Sequence, residues 1–153
     1  GGPLINKYAQ TGNPLAYEFP VPNMPNFDFS FSGLKTSFLY FIQKQVAANP
    51  DFIEQNLADI CASIQHAIIK QLIKKLIAAA KHTQINKVAL AGGVSANSGL
   101  RLALQTEGAK RGWKTFIPAF EYCTDNAAMI AIAAHYKYLS NQFETQQTTP
   151  FAR

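Results

Sequence analysis

The chain has 153 residues, 48% of them hydrophobic and 15% charged, and 14 basic against 9 acidic side chains give a net charge of +5. That is ample for one buried core and short for two domains. No apolar run approaches the ~20 residues that a membrane span requires, so neither a transmembrane segment nor a signal peptide is expected. The only two cysteines, Cys61 and Cys123, suit a reducing compartment better than a disulfide framework. The basic surplus favours a polyanionic partner without identifying one.

Residues 1–30 carry Pro3, Pro14, Pro20, Pro22 and Pro25 together with Gly1, Gly2 and Gly12. After a short helix over Leu4 to Ala9 they read as a loop-rich arm. Phe27-Asp28-Phe29-Ser30-Phe31 alternates with period two, which predicts a strand with an aromatic face in the core. Ser32-Gly33 turns the chain into a helix from Leu34 to Ala48, which Asn49-Pro50 ends. The longest helix is predicted from Pro50 to Lys81 with a break near Asn56. Leu57, Ile60, Ile64, Ile68, Leu72 and Leu76 form its apolar stripe, and Lys70, Lys74 and Lys75 lie off it. Strand 87–91, helix 97–111, strand 114–117 and helix 124–139 follow, and the segment 140–153 is a polar tail. Helix outweighs strand, and residues 31–139 read as one α/β domain.

Two junctions concentrate the chemistry. Val88-Ala89-Leu90-Ala91-Gly92-Gly93-Val94-Ser95-Ala96-Asn97 runs from an apolar strand through a glycine pair to a helix start. In an open α/β sheet such a junction lies at the carboxyl end of a strand, where ligands bind. The glycines let the backbone approach a ligand, and Ser95 or Asn97 can cap the helix. The other junction leads from Lys114-Thr115-Phe116-Ile117-Pro118 to Cys123-Thr124-Asp125-Asn126-Ala127-Ala128-Met129. Thr124 is expected as its N-cap, with Asp125 in the first helical turn near the positive end of the dipole. Taken alone, the first junction suits a steric turn better than a nucleotide cradle, and the second suits a favourable helix start better than a metal ligand. Side by side, they would direct polar groups into one crevice.

The strings Asp28-Phe29-Ser30-Phe31-Ser32-Gly33-Leu34-Lys35-Thr36, Ala91-Gly92-Gly93-Val94-Ser95-Ala96-Asn97 and Cys123-Thr124-Asp125-Asn126-Ala127-Ala128-Met129-Ile130-Ala131 resemble the TsaD family. Its members are tRNA adenosine threonylcarbamoyltransferases, which also carry the older names O-sialoglycoprotein endopeptidase and glycoprotease. The resemblance runs from Gly1 to about Tyr138. Family members are roughly twice as long, so the chain looks like a C-terminal part. The upstream half, with its His-x-x-x-His metal motif and first phosphate loop, is expected to be missing.

The resemblance implies most of the second, ribonuclease-H-like domain of an actin-like, Hsp70-like, sugar-kinase-like fold. It implies transfer of threonylcarbamoyl from threonylcarbamoyl-AMP to the exocyclic amine of adenosine 37 in tRNAs reading codons that start with adenine. Gly2 and Asn97 match positions that contact the adenylate, with Gly92 and Gly93 in the turn beneath its adenosine. Asp125 matches a ligand of one divalent metal, iron or zinc, whose other ligands are the missing histidines. A hard carboxylate oxygen suits that role. tRNA, an inactive paralogue subunit and a P-loop ATPase are the implied partners, in the cytoplasm and without a membrane. The fragment alone is expected to be inactive and without its metal.

Other readings remain beside this one. An interaction paralogue of the same fold would not be expected to keep Asp125 and Asn97 in these strings. A metallopeptidase would need a glutamate beside paired histidines. His66, His82 and His135 form no i, i+4 pair and are predicted at helix surfaces or ends. Cys123 has no histidine placed locally to activate it as a nucleophile. Lys110-Arg111-Gly112-Trp113-Lys114 reads as a helix end with Gly112 beyond it and Trp113 packed, rather than as an RNA-stacking patch. Lys35 belongs to a family string without a chemical role that the residues reveal.

Overall fold

A computed structural model describes residues 1–21 and 24–149. Among these described residues five helices and two short strands follow one another. They are α1 (Gly2–Ala9), α2 (Ser32–Ala48), α3 (Phe52–Thr83), β1 (Lys87–Ala89), α4 (Ser98–Arg111), β2 (Lys114–Phe116) and α5 (Ala127–Leu139), with single 3₁₀ turns at Gly93–Ala96 and Phe120–Tyr122. Pro22 and residues 150–153 of the polar segment lie outside the described residues. The protein is a helix-rich α/β structure with a small parallel sheet.

The strands pair in parallel, with Lys87 opposite Lys114, Val88 opposite Thr115 and Ala89 opposite Phe116. A final rung runs from Leu90 N–H to the Phe116 carbonyl at 2.9 Å. Parallel neighbours need a crossover, and α4 supplies it. Consequently both strands deliver their following loops to the same end of the sheet. Local chemistry sets the ends of α4: Asn97 accepts from Leu100 N–H at 2.8 Å, and Gly112 closes the helix at φ 67°. That left-handed conformation is one a glycine adopts without steric cost.

The main core lies between the arm, α2 and α3. Phe19, Leu34, Ile64 and Ala67 are buried together, with Tyr17, Phe38, Phe41 and Ile68 packed around them. Phe19 meets Phe38 and Phe41 edge-on with centroids 5.4 and 5.3 Å apart. These are favoured aromatic geometries. The break in α3 falls at Asn56 as expected, at φ −125° and ψ 17°. Its side chain donates to Phe52 O and accepts from the Tyr17 hydroxyl. The kink is therefore tied to the arm.

Several sequence expectations need correction. Phe27-Asp28-Phe29-Ser30-Phe31 is not a strand, and Phe27, Phe29 and Phe31 are all exposed, the last two stacked with centroids 6.0 Å apart. Alternation produces a strand only where a neighbouring strand completes the ladder, and no such strand pairs with it among the described residues. The buried face of α3 is also displaced. Ile60, Ile64, Ala67, Gln71 and Lys75 are buried, whereas Leu72 and Leu76 are only half-buried. Gln71 donates to Ser30 O, and Lys75 Nζ donates to Met24 O and Asn26 O at 2.6 and 2.8 Å. Arm carbonyls thus draw two polar side chains inward.

At the chain's end, α5 contains no buried residue, although it carries Met129, Ile130, Ile132, Tyr136, Tyr138 and Leu139. Beyond it, Gln142 N–H returns to Lys137 O at 2.9 Å and Phe143 packs edge-on against Tyr138. The start of the polar segment is therefore held against the helix. Among the described residues no helix is long and apolar enough to cross a membrane.

Candidate ligand cleft at the strand ends

A cleft of about 570 Å³ opens where the two strands release their loops, lined by Gly2, Pro3, Asn6, Gly93, Val94, Ala96, Asn97 and Thr124. Three of the residues singled out from sequence, Gly2, Gly93 and Asn97, therefore share one wall-to-wall space although they lie far apart in the chain. Gly92 and Asp125 are each one residue along the chain from a lining residue. Residues of the first turn of α1 and the cap of α4 line the cleft, so the N-terminal, positive ends of two helix dipoles border it. None of its lining side chains is charged. It offers amides, a hydroxyl and small apolar surfaces under a favourable potential for an anion.

The glycine turn is built around Gly92, at φ 78° and ψ 177°, a combination open almost only to glycine. Its carbonyl accepts from Ser95 N–H at 2.9 Å and from the Ser95 hydroxyl at 2.6 Å, and Ser95 is fully buried. Ser95 thus stabilises the turn, and Asn97 caps the helix. The Asn97 Nδ2 also donates to Gln65 Oε1 on α3 at 2.7 Å. One N–H and one lone pair of its amide stay free for a ligand. Ser98 joins this wall to α1 through a bond from its hydroxyl to Asn6 Oδ1 at 2.9 Å.

The second junction differs from the expectation. Asn126, not Thr124, caps α5, accepting from Met129 N–H at 3.1 Å. Asp125 therefore precedes the helix instead of occupying its first turn. It is exposed, so its carboxylate is neither sequestered by the helix end nor used in a hydrogen bond among the described residues. An Asn at the cap satisfies the terminal N–H groups better than Thr.

Two contributors were not found from the sequence. Gln65 reads as one polar residue in a long amphipathic helix, and Arg101 as a surface cation of α4. Arg101 instead reaches back to both junctions, with its Nε on Ser95 O and a terminal nitrogen on Pro118 O. Neither contact leaves a pattern in the chain.

The remaining candidates behave as local structure. His66, His82 and His135 are exposed on helices, and Lys110 and Arg111 pair with Glu107 at 3.0 and 3.1 Å. Those partners, the Lys110 hydrogen bond first, hold the Glu107 carboxyl below its ordinary range. Trp113 is half-buried beside them. Cys61 is buried in α3, and burial pushes its thiol up.

Fold and cleft together define an α/β protein with a candidate ligand cleft at the carboxyl ends of parallel strands, bordered by helix N-termini. Comparison with known sequences narrows this to one family, since the profile described as "TsaD: tRNA N6-adenosine threonylcarbamoyltransferase" matches residues 1–132. The chain belongs to the TsaD family. Among its relatives, proteins of Cytophaga hutchinsonii and Christiangramia forsetii are each 56% identical over the whole chain, and one of Porphyromonas gingivalis is 55% identical. All three are named tRNA N6-adenosine threonylcarbamoyltransferase, and the chain spans 45% of the length of each.

Proposed function

We propose that the chain is part of an enzyme that transfers threonylcarbamoyl from threonylcarbamoyl-AMP to the exocyclic amine of adenosine 37 in tRNAs reading codons that start with adenine. The observation that carries this reading is the meeting of Gly2, Gly93 and Asn97 in one cleft within a chain of this family. In it, Gly2 and Gly93 leave room for the adenylate, Gly92 shapes the turn beneath the adenosine, and the free donor and acceptor of Asn97 orient a polar edge. The two helix dipoles favour the phosphate. As AMP leaves, the same fixed dipoles stabilise its growing negative charge without reorganising.

The domain is, on this reading, the second ribonuclease-H-like half of an actin-like fold, acting in the cytoplasm. The whole enzyme would work with tRNA, an inactive paralogue subunit and a P-loop ATPase. Asp125, an exposed carboxylate, is a suitable oxygen donor for iron or zinc. Among the described residues, however, no three His, Cys, Asp or Glu side chains gather to hold an ion. These residues do not by themselves make a metal site, and the remaining ligands would come from elsewhere in the parent. The chain alone is accordingly proposed to be inactive and to hold metal weakly.

The test is incorporation of labelled threonine from threonylcarbamoyl-AMP into a tRNA transcript by the full-length parent, wild type against Gly93→Leu. Wild-type transfer, lost in a normally folded variant, is expected. Transfer undiminished by a side chain filling the cleft would overturn the reading.

A further inference from the structure

Beyond the rung between Leu90 and Phe116, no hydrogen bond runs directly between the two turns among the described residues. What joins them is Arg101, half-buried on α4 one helical turn after Asn97. Its Nε donates to Ser95 O at 2.5 Å. A terminal nitrogen donates to Pro118 O at 2.7 Å and to the Cys123 sulfur at 3.1 Å. The guanidinium carbon sits 4.0 Å from the centre of the Phe120 ring. Cys123 in turn donates to Ala119 O, so its thiol closes the second turn on itself.

Ser95 lies inside the turn that presents Gly93, Val94 and Ala96 to the cleft, and Pro118 to Cys123 is the segment that ends at Thr124. One planar cation therefore holds both walls. A guanidinium can do this because its donors form a rigid fork and its face stacks on an aromatic ring. A lysine ammonium has three donors but neither the planar fork that spans both turns nor a face to stack on Phe120.

We propose that Arg101 is a positioning residue that fixes the separation of the two turns, and hence the placement of Asn97 and Gly93 relative to Thr124 and Asp125. Its catalytic consequence rests on the proposed transfer reaction; its mechanical role does not. Misplacing reacting groups by about 1 Å costs on the order of 100-fold in rate even when the substituted residue is remote.

Two measurements separate the roles. In the chain itself, alkylation by iodoacetamide is followed by mass spectrometry at Cys123 and Cys61 in the wild type and in Arg101→Met. The Cys123 rate should rise on the order of tenfold, as for loss of a hydrogen bond to a charged group, while Cys61 stays protected. An unchanged Cys123 rate, or both cysteines opening together as in general unfolding, would overturn the clamp. In the full-length parent, Arg101→Met should lower kcat by roughly 100-fold with a much smaller change in KM for threonylcarbamoyl-AMP, and Arg101→Lys should recover part of it. Undiminished kcat in a variant with a released Cys123 would refute the positioning role. A wild-type parent without transfer would refute the proposed reaction, and the thiol rates then decide the clamp alone.

Discussion

The amide of Asn97 bridges two helices: its Oδ1 caps α4 at Leu100 N–H, 2.8 Å away, while its Nδ2 donates to Gln65 Oε1 on α3 at 2.7 Å. The wall of the cleft is thereby anchored to α3, the longest helix among the described residues.

This linkage predicts non-additive stability. Asn97→Ala should cost about 1 to 2 kcal/mol from the lost cap, and Gln65→Met about 1 kcal/mol from the lost hydrogen bond. Because Asn97→Ala already removes the partner of Gln65, the double variant should lose less than the sum, with a coupling of at least ~0.5 kcal/mol. Urea denaturation of the four proteins checks it. Strict additivity would show that the bond contributes nothing in solution.

Both junctions could be read in the sequence because strand, glycine pair, cap residue and helix are local signals. Their convergence could be anticipated only because two parallel strands end on the same side. Asp125 was misplaced by two residues since Thr124 and Asn126 are both good caps, and only the geometry at Met129 N–H decides between them. The Phe27–Phe31 alternation failed for a different reason: a strand is defined by its neighbour. Gln71 carries no signal in the sequence, and Lys75 is buried although its position off the apolar stripe predicts exposure, because the partners of both are backbone carbonyls of the arm, which leave no sequence signature. Arg101 was invisible likewise, its partners lying 6, 17 and 22 residues away.

Lys75 gives a direct test of the arm's attachment. Its ammonium is buried and donates to Met24 O and Asn26 O. Lys75→Met keeps the apolar stem and removes both bonds, which should destabilise by about 1.5 to 3 kcal/mol. Limited proteolysis should then cut between Met24 and Ser30 before it cuts α3. Unchanged protection of the arm would show that aromatic packing alone holds it.

Alkaline pH should weaken the fold. Burial raises the Cys61 thiol, and burial followed by the charge of Asp59 raises the Tyr17 hydroxyl. Both groups hold their protons more tightly when folded than when unfolded. Their stabilisation is thus complete below the ordinary thiol and phenol ranges and is lost as pH climbs through the raised values. The melting temperature should fall across that window, and less steeply in Cys61→Ala. A melting temperature that rose with alkalinity would contradict this account.

On the proposed reading, Asp125→Asn in the full-length parent should separate fold from chemistry. Because Asp125 precedes the Asn126 cap and is exposed, the substitution should change stability by no more than about 0.5 kcal/mol. If the carboxylate holds the metal, transfer should drop by at least the roughly 10- to 100-fold typical of even outer-shell losses. Metal content and transfer rate are measured on one preparation. Full transfer with full metal content would remove Asp125 from the site.

The glycine pair offers a contrast within two adjacent residues. Gly92 stands at φ 78°, so Gly92→Ala forces a side chain into a backbone region it rarely adopts, at a cost of about 1 to 3 kcal/mol. A Cβ on Gly93 meets no atom within 4 Å, and Gly93→Ala should leave stability within about 0.5 kcal/mol of wild type. Yet Gly93 lines the cleft and Gly92 does not. The two variants should therefore separate: Gly92→Ala lowers the denaturation midpoint, whereas Gly93→Ala folds normally and binds adenosine monophosphate more weakly, because its methyl group occupies ligand space. Denaturation curves and titration calorimetry on the chain and its two variants read both effects. If Gly93→Ala bound the nucleotide as tightly as the wild type, the ligand would not lie against this turn, and the conformation of Gly92 would be a structural requirement of the strand-to-helix connection alone.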